Sequence, residues 1–206
     1  MKVIMINGSP HEKGTTFRAL SEIGLELNNN GIDYEIITVG NKDVSGCNVC
    51  GACAKLGKCV KNDIVNDLIE KIEKADGLVV GSPVYYASLN GTLKCVLDRL
   101  FYAKKSFAYK PAAAVAVARR AGTTATLDII NKYFMLSNMP VVSSQYWNMA
   151  FGSNAEQAEF DEEGMQTMRI LGKNMAWLVN SIKVAKENGV KIPEQENHVR
   201  TNFYKA

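Results

Sequence analysis

Residues 2–16, KVIMINGSPHEKGTT, decide the fold. The apolar run at 2–6 is too short for a helix and reads as a strand. It stops at Asn7-Gly8-Ser9-Pro10, a turn signal. Phe17, Leu20, Ile23 and Leu27 then recur at nearly helical spacing, until Gly31 after three asparagines marks a stop. A strand that passes through a glycine turn into an amphipathic helix is the opening of an α/β unit.

The same alternation continues along the chain. Strands are expected at 34–39, 78–82, 112–118 and 141–144, and helices at 64–72, 90–103, 124–136 and 163–185. Asn62 or Asp63 is a suitable N-cap for the first of these helices. The run AAAVAVA at 112–118 is small and apolar without alternation, as suits a strand covered on both faces. Five strands alternating with helices predict a parallel sheet between two helix layers. Such sheets bind ligands beyond the carboxyl ends of their strands. Function is therefore sought in the loops 7–16, 40–62, 82–91, 119–124 and 144–152. One domain is expected over residues 1–186, with a cysteine-rich insertion at 40–62 and a polar tail at 187–206.

Composition excludes several classes. The 206 residues are 47% apolar and 22% charged, which is ordinary for a folded globular chain. Twenty-four basic against 21 acidic residues leave a net charge of +3, so nothing argues for nucleic-acid binding. No apolar run approaches the ~20 residues of a membrane helix, and no signal peptide precedes the first turn. A cytoplasmic location is expected.

The first loop leads into a helix N-terminus, whose unpaired N–H groups attract phosphate. Ser9, Thr15 and Thr16 add hydroxyl donors. A triphosphate loop is excluded because no Gly-Lys-Ser/Thr follows, and a dinucleotide loop because no second glycine lies two residues after Gly8. What remains is a cup for one terminal phosphate, or a set of ordinary caps and turn formers. In the third-strand loop Pro83 stiffens the backbone, and Tyr85 and Tyr86 offer a flat surface for a planar ring or a lid on the sheet end. Arg119 and Arg120 leave the fourth strand either to meet a ligand or as a solvated pair. Tyr146 and Trp147 could floor a pocket or sit at a subunit contact.

Four of the five cysteines, Cys47, Cys50, Cys53 and Cys59, fall within thirteen residues, and Gly46, Gly51 and Gly57 permit tight turns among them. Compact runs with two-residue gaps hold iron–sulfur clusters. Zinc, which prefers separated knuckles, a redox pair and free thiols are the alternatives. Cys95 stands among Leu93, Val96, Leu97 and Leu100, where a buried, inert thiol is expected.

Gly8-Ser9-Pro10 with Gly14-Thr15-Thr16, Gly81-Ser82-Pro83-Val84-Tyr85, and Gly91-Thr92-Leu93-Lys94 with Leu97-Asp98-Arg99 resemble the NAD(P)H-dependent FMN reductase group of flavodoxin-like proteins. The cysteine run resembles the iron–sulfur flavoproteins of that group. The resemblance covers about residues 1–150. It implies a flavodoxin-like three-layer α/β sandwich with five parallel strands in the order 2-1-3-4-5, non-covalent FMN, and a homodimer or homotetramer. It implies that Ser9, Pro10, Thr15, Thr16 and the Phe17 N–H surround the FMN phosphate. Pro83, Val84, Tyr85, Tyr86 and Ser88 would line the ribityl chain and ring, and Arg119, Arg120 and Gly122 would lie at the ring's far edge. Cys47, Cys50, Cys53 and Cys59 would ligate a [4Fe–4S] cluster. Two departures stand out: Thr15 replaces the family's frequent asparagine, and Ala121 replaces a glycine, which would strain the loop if that position required a positive φ.

The implied activity is an FMN-dependent oxidoreductase that passes electrons between NAD(P)H or ferredoxin and a small acceptor. No protein side chain is required as a catalytic acid or base: His11 is the only histidine in a site loop, and His198 lies in the tail. The rivals are a cluster-free NAD(P)H:quinone, azo or FMN reductase, and a flavin electron carrier or redox sensor without a substrate.

Overall fold

The computed structural model describes residues 1–103, 106–197 and 199. His198 and most of the distal tail lie outside them. In chain order the elements are β1 (Lys2–Asn7), α1 (Thr15–Asn29), β2 (Asp33–Thr38), α2 (Cys53–Leu56), α3 (Ile64–Lys74), β3 (Gly77–Pro83), α4 (Gly91–Ala103), β4 (Ala112–Ala118), α5 (Thr123–Leu136), β5 (Met149–Phe151), α6 (Ala155–Glu159) and α7 (Glu162–Glu187). All strand pairs are parallel and the sheet order is β2-β1-β3-β4-β5, as the resemblance implies.

The period of two along each strand sorts side chains between two cores. Ile4, Ile6, Leu78, Val80, Ala112, Ala114 and Ala116 face the layer of α3, α4 and α5. Val3, Met5, Val79, Ala113, Val115 and Val117 face α1 and α7. Every residue of β4 is buried, because helices close on both of its faces. Its alanines leave room for that double cover.

Caps place the helices. Asp63 accepts the Val65 N–H at the start of α3, and Asn90 accepts the Leu93 N–H at the start of α4. Asp161 accepts the N–H groups of Gly164 (3.0 Å) and of Phe151 in β5 (2.6 Å), which fixes α7 against the sheet edge. Gly172 of α7 lies so close to α1 that a Cβ would stand 2.8 Å from the Ile23 carbonyl oxygen.

The fifth strand is not at 141–144. Val141 makes a single bridge to Ala112, and the ladder resumes only with Met149–Phe151 against Ala116–Ala118. Between them the chain leaves the sheet edge, held by hydrogen bonds within the excursion. Asn148 donates to the Val142 carbonyl and accepts from the Ser144 hydroxyl, which also serves the Tyr146 carbonyl. Two short helices, α2 and α6, have no apolar period long enough to announce them.

Candidate functional site

The loops after β1, β3, β4 and β5 surround a cleft of about 590 Å³ at the carboxyl end of the sheet, within the range of small-molecule sites. The first loop is fixed in advance. Asn7 is fully buried; its amide donates to the Thr38 hydroxyl (3.1 Å) and its oxygen accepts the Ser9 N–H (3.0 Å). Ser9 Oγ in turn accepts the His11 N–H, and Gly8 N–H bonds the Gly81 carbonyl across to β3. Gly40 backs the loop so closely that a Cβ there would lie 2.2 Å from the Gly8 carbonyl oxygen.

Helix α1 opens onto this loop with Gly14 as its N-cap. No side chain caps it and no acidic residue stands in its first turn. Its first N–H groups, with their share of the helix dipole, therefore face the cleft uncompensated. Ser9, His11, Lys13, Thr15 and Thr16 line the cleft beside them. This donor set, with one lysine and no carboxylate, suits a phosphate monoester.

The opposite wall is built by a turn of unusual sequence. Tyr85 and Ser88 exchange both backbone hydrogen bonds (2.8 and 2.9 Å), closing a two-residue turn. Its central residues, Tyr86 and Ala87, have φ of 47° and 58°. Such turns favour asparagine and glycine, so the pair stores backbone strain. Val84 N–H anchors the turn to the Val117 carbonyl. Gly122 braces it from behind: at φ 91°, its Cβ would meet Val84 Cγ1 at 2.8 Å and Ala87 Cα at 2.9 Å. Gly122 takes the left-handed conformation and Ala121 does not, so alanine at 121 carries no strain.

Of the expected flavin-site residues, Ser9, Thr15, Thr16, Pro83, Val84 and Arg119 line the cleft together. Pro10, Phe17, Tyr85, Tyr86, Ser88, Arg120 and Gly122 stand outside its wall; Tyr86 is fully exposed and Arg120 points to solvent. The cleft also has a side formed by Gly152, the last residue of the expected fifth loop, and by Ser153, Asn154 and Ala155, which sequence reasoning missed. Thr15 Oγ1 donates to the Gly152 carbonyl and ties that side to α1. Only the correct position of β5 could have revealed it. Tyr146 and Trp147 pack against each other at 4.8 Å, both exposed, and do not line the cleft.

The cysteine run forms a second feature, between β2 and α3. Cys47, Cys50, Cys53 and Cys59 border one small hollow, closed by Arg99, Tyr102 and Ala103 of α4. Val49, Gly51 and Gly57 all take positive φ, which folds the run back on itself. Cys47 and Cys50 are exposed, whereas Cys53 and Cys59 are half-buried. Backbone and cation donors face the sulfurs: Val49 N–H reaches Cys47 Sγ at 3.4 Å, and Arg99 Nε and Nη2 each reach Cys59 Sγ at 3.3 Å. Among the described residues no three ligand side chains converge tightly enough to hold a single metal ion. Four thiols bordering one hollow, with donors aimed at the sulfurs of Cys47 and Cys59, suit a larger multi-iron group better than one tetrahedral ion.

Arg99 is the residue that loop-by-loop reasoning overlooked, although it belongs to the Leu97-Asp98-Arg99 motif. It is 2% exposed. Its guanidinium grips Asp63 with Nη1 at 2.5 Å and Nη2 at 2.9 Å, and also reaches the carbonyls of Ser45 and Lys61. Burial pushes the Asp63 pKa up, but the Arg99 hydrogen bonds, the Val65 N–H and nearby positive charge outweigh it and hold the carboxyl below its ordinary value. Cys95 is half-buried rather than enclosed.

Comparison with known proteins places the fold and the family. An iron–sulfur flavoprotein of Methanocaldococcus jannaschii is 32% identical over 192 residues, covering 89% of this chain and all of that protein. Among solved structures, RosB with bound 8-demethyl-8-formylriboflavin-5′-phosphate superposes with a TM-score of 0.70 at 15% identity, over 100% of this chain and 93% of that one. A flavodoxin from the domain Archaea gives 0.61 at 15% identity, over 87% and 99%. These two establish the shared fold. No helix among the described residues is long and apolar enough to cross a membrane. Residues 1–154 match the NADPH-dependent FMN reductase family, and with the full-length likeness to an iron–sulfur flavoprotein this match shows that the chain belongs to that family of flavodoxin-like proteins.

Proposed function

We propose that the chain is an FMN-dependent oxidoreductase that carries electrons between NAD(P)H or reduced ferredoxin and a small acceptor, with a [4Fe–4S] cluster on Cys47, Cys50, Cys53 and Cys59. The observation that carries the flavin assignment is the uncapped, acid-free start of α1 opening into a cleft of about 590 Å³. Ser9, Thr15, Thr16 and the Phe17 N–H would hold the phosphate, with Pro10 stiffening the loop. Pro83, Val84, Tyr85, Tyr86 and Ser88 would hold the ribityl chain and ring, and Arg119, Arg120 and Gly122 would border the ring's far edge. When bound, FMN supplies the conversion between two-electron hydride chemistry and one-electron transfer. The chain's own part is to bind, orient and exclude water, and no side chain need exchange a proton with the substrate.

The hollow ringed by four sulfurs supports the cluster assignment, as does the name borne by the Methanocaldococcus relative. The exposure of Cys47 and Cys50 favours a second reading, a cluster-free NAD(P)H:quinone, azo or FMN reductase. A third, an electron carrier or redox sensor, needs no substrate pocket beside the flavin. Protein prepared without oxygen separates the three. Brown protein with one FMN and about four irons per chain, oxidising NADH or NADPH in the presence of a quinone, supports the proposal. Yellow iron-free protein with the same activity supports the second reading, and flavin without turnover supports the third. Failure to bind FMN refutes all of them. A homodimer or homotetramer is proposed with it, and light scattering tests this.

A further inference from the structure

We propose that Arg99 is a positioning residue that sets the reduction potential of the cluster by polarising one ligand, Cys59, and that Asp63 holds this effect in check. The proposal rests on the cluster assignment above.

The four sulfurs are not equivalent. Cys47 and Cys50 lie exposed, and Cys47 Sγ accepts one backbone N–H at 3.4 Å. Cys59 sits at the half-buried side and faces a cation that is itself 2% exposed. Arg99 donates to Cys59 Sγ from both Nε and Nη2 at 3.3 Å, a fork that a lysine could not reproduce. The backbone that carries this sulfur is fixed beside the fork. Cys59 N–H donates to Asn66 Oδ1 at 2.9 Å, and Asn66 Nδ2 donates back to the Cys59 carbonyl at 3.0 Å. Hydrogen bonds from charged donors are the strong ones, and the burial of the guanidinium limits their weakening by water.

Hydrogen bonds to cluster sulfurs stabilise the reduced form, which carries the extra negative charge, and so raise the potential. Asp63 works in the opposite sense. Its carboxylate takes Nη1 at 2.5 Å and shares Nη2 with the sulfur, offsetting much of the guanidinium charge. Asp63 also caps α3, so the same carboxylate that moderates the cation ties the cysteine loop to the helix that follows. An arginine that merely closed the loop would satisfy the Ser45 and Lys61 carbonyls and Asp63 without aiming two N–H groups at one sulfur.

The test uses the full chain, loaded with FMN and reconstituted without oxygen with iron and sulfide. Iron per chain is measured first, then the cluster midpoint is titrated with dithionite and followed by electron paramagnetic resonance. Arg99→Gln should lower the one-electron midpoint by a tenfold change in equilibrium or more, which is 59 mV. Asp63→Asn should raise it, since asparagine caps a helix as well as aspartate does and leaves the fork on Cys59 uncountered. The flavin midpoint should hold in both variants. If Arg99→Gln fails to retain iron, Asp63→Asn decides the matter alone. Midpoints unchanged, or moved in the same direction in both variants, overturn the role of Arg99 while leaving the cluster in place. A parent protein that takes up no iron overturns the cluster assignment and this proposal together.

Discussion

Replacing Gly40 with alanine tests the phosphate cup most directly. Its Cβ would stand 2.2 Å from the Gly8 carbonyl oxygen, 2.3 Å from the Ser9 carbonyl carbon and 2.6 Å from the Pro10 nitrogen. All three atoms are backbone, so no change of rotamer relieves the overlap. To reach ordinary contact the loop must retreat by roughly 1.2 Å, and such overpacking costs about 1–3 kcal/mol. A retreat of that size breaks hydrogen bonds from the cup to a bound phosphate, each worth about 1.5–3 kcal/mol when one partner is charged. The expected loss is therefore roughly ten- to a hundredfold in FMN affinity, at about 1.4 kcal/mol per factor of ten. Quenching of FMN fluorescence on titration with apoprotein measures it. Gly172→Ala is the control: its Cβ meets Glu26 Cβ at 2.7 Å and the Ile23 carbonyl at 2.8 Å, a comparable overlap between α7 and α1. That variant should lose melting temperature but keep its FMN affinity within about twofold. A folded Gly40→Ala protein with the parent affinity would remove the phosphate from the first loop and the flavin from the cleft.

Three other outcomes are expected. Gly122→Ala forces a Cβ onto a residue at φ 91° and against Val84 and Ala87; FMN should bind roughly tenfold more weakly and the melting temperature should fall by several degrees. Cys50→Ser should lose most of the iron and keep the flavin, and iron content equal to the parent's would exclude Cys50 as a ligand. Glu22 is nearly buried between Arg18 and Arg169, at 2.7 Å from each. Burial pushes its pKa up, but hydrogen bonds from Arg169 and Arg18 and their charges outweigh this and hold it below the ordinary 4.5. The folded state then releases the proton more readily than the unfolded chain. The stabilisation is complete above about 4.5 and disappears as pH falls through the lower folded value. Glu22→Gln should therefore cost about 2 kcal/mol at neutral pH and show a flatter decline in acid, measured by urea unfolding across a pH series.

The order of elements was legible because each strand and helix before residue 136, apart from the four-residue α2, carries its own signal. β1, β3 and β4 are continuous apolar runs, and the α3 face repeats at helical spacing from Val65 to Ile72. The last strand was not legible because its signal points to the wrong place. Val141 and Val142 are apolar, yet side-chain bonds of Ser144 and Asn148 carry the chain off the edge before it returns at Met149. The error hid Ser153, Asn154 and Ala155 from the site. The turn at Tyr86 and Ala87 was illegible for a different reason, since neither residue type favours positive φ, and the Tyr85–Ser88 hydrogen bonds and the close approach of Gly122 hold them there. Arg99 stands in the Leu97-Asp98-Arg99 motif but carries no sign of its role there, because its partners Cys59 and Asp63 lie some forty residues earlier.

Helix α4 joins the two halves of the proposed site. At its start, Asn90 N–H donates to Ser82 Oγ, and Leu93 packs under Gly8, whose Cβ would lie 2.6 Å from Leu93 Cδ2. At its far end, Arg99 holds Cys59 and Asp63. Leu93 and Arg99 are six positions apart, an axial distance of about 9 Å. Neither the first loop nor most of the cysteine run has regular structure of its own, so neither could fix its distance from the other. The buried face of α4, with Leu93, Val96, Leu97 and Leu100 in the core, does so for both. Substitutions in that buried face should therefore disturb the flavin cup and the cysteine hollow together, whereas substitutions in either loop should disturb one and spare the other.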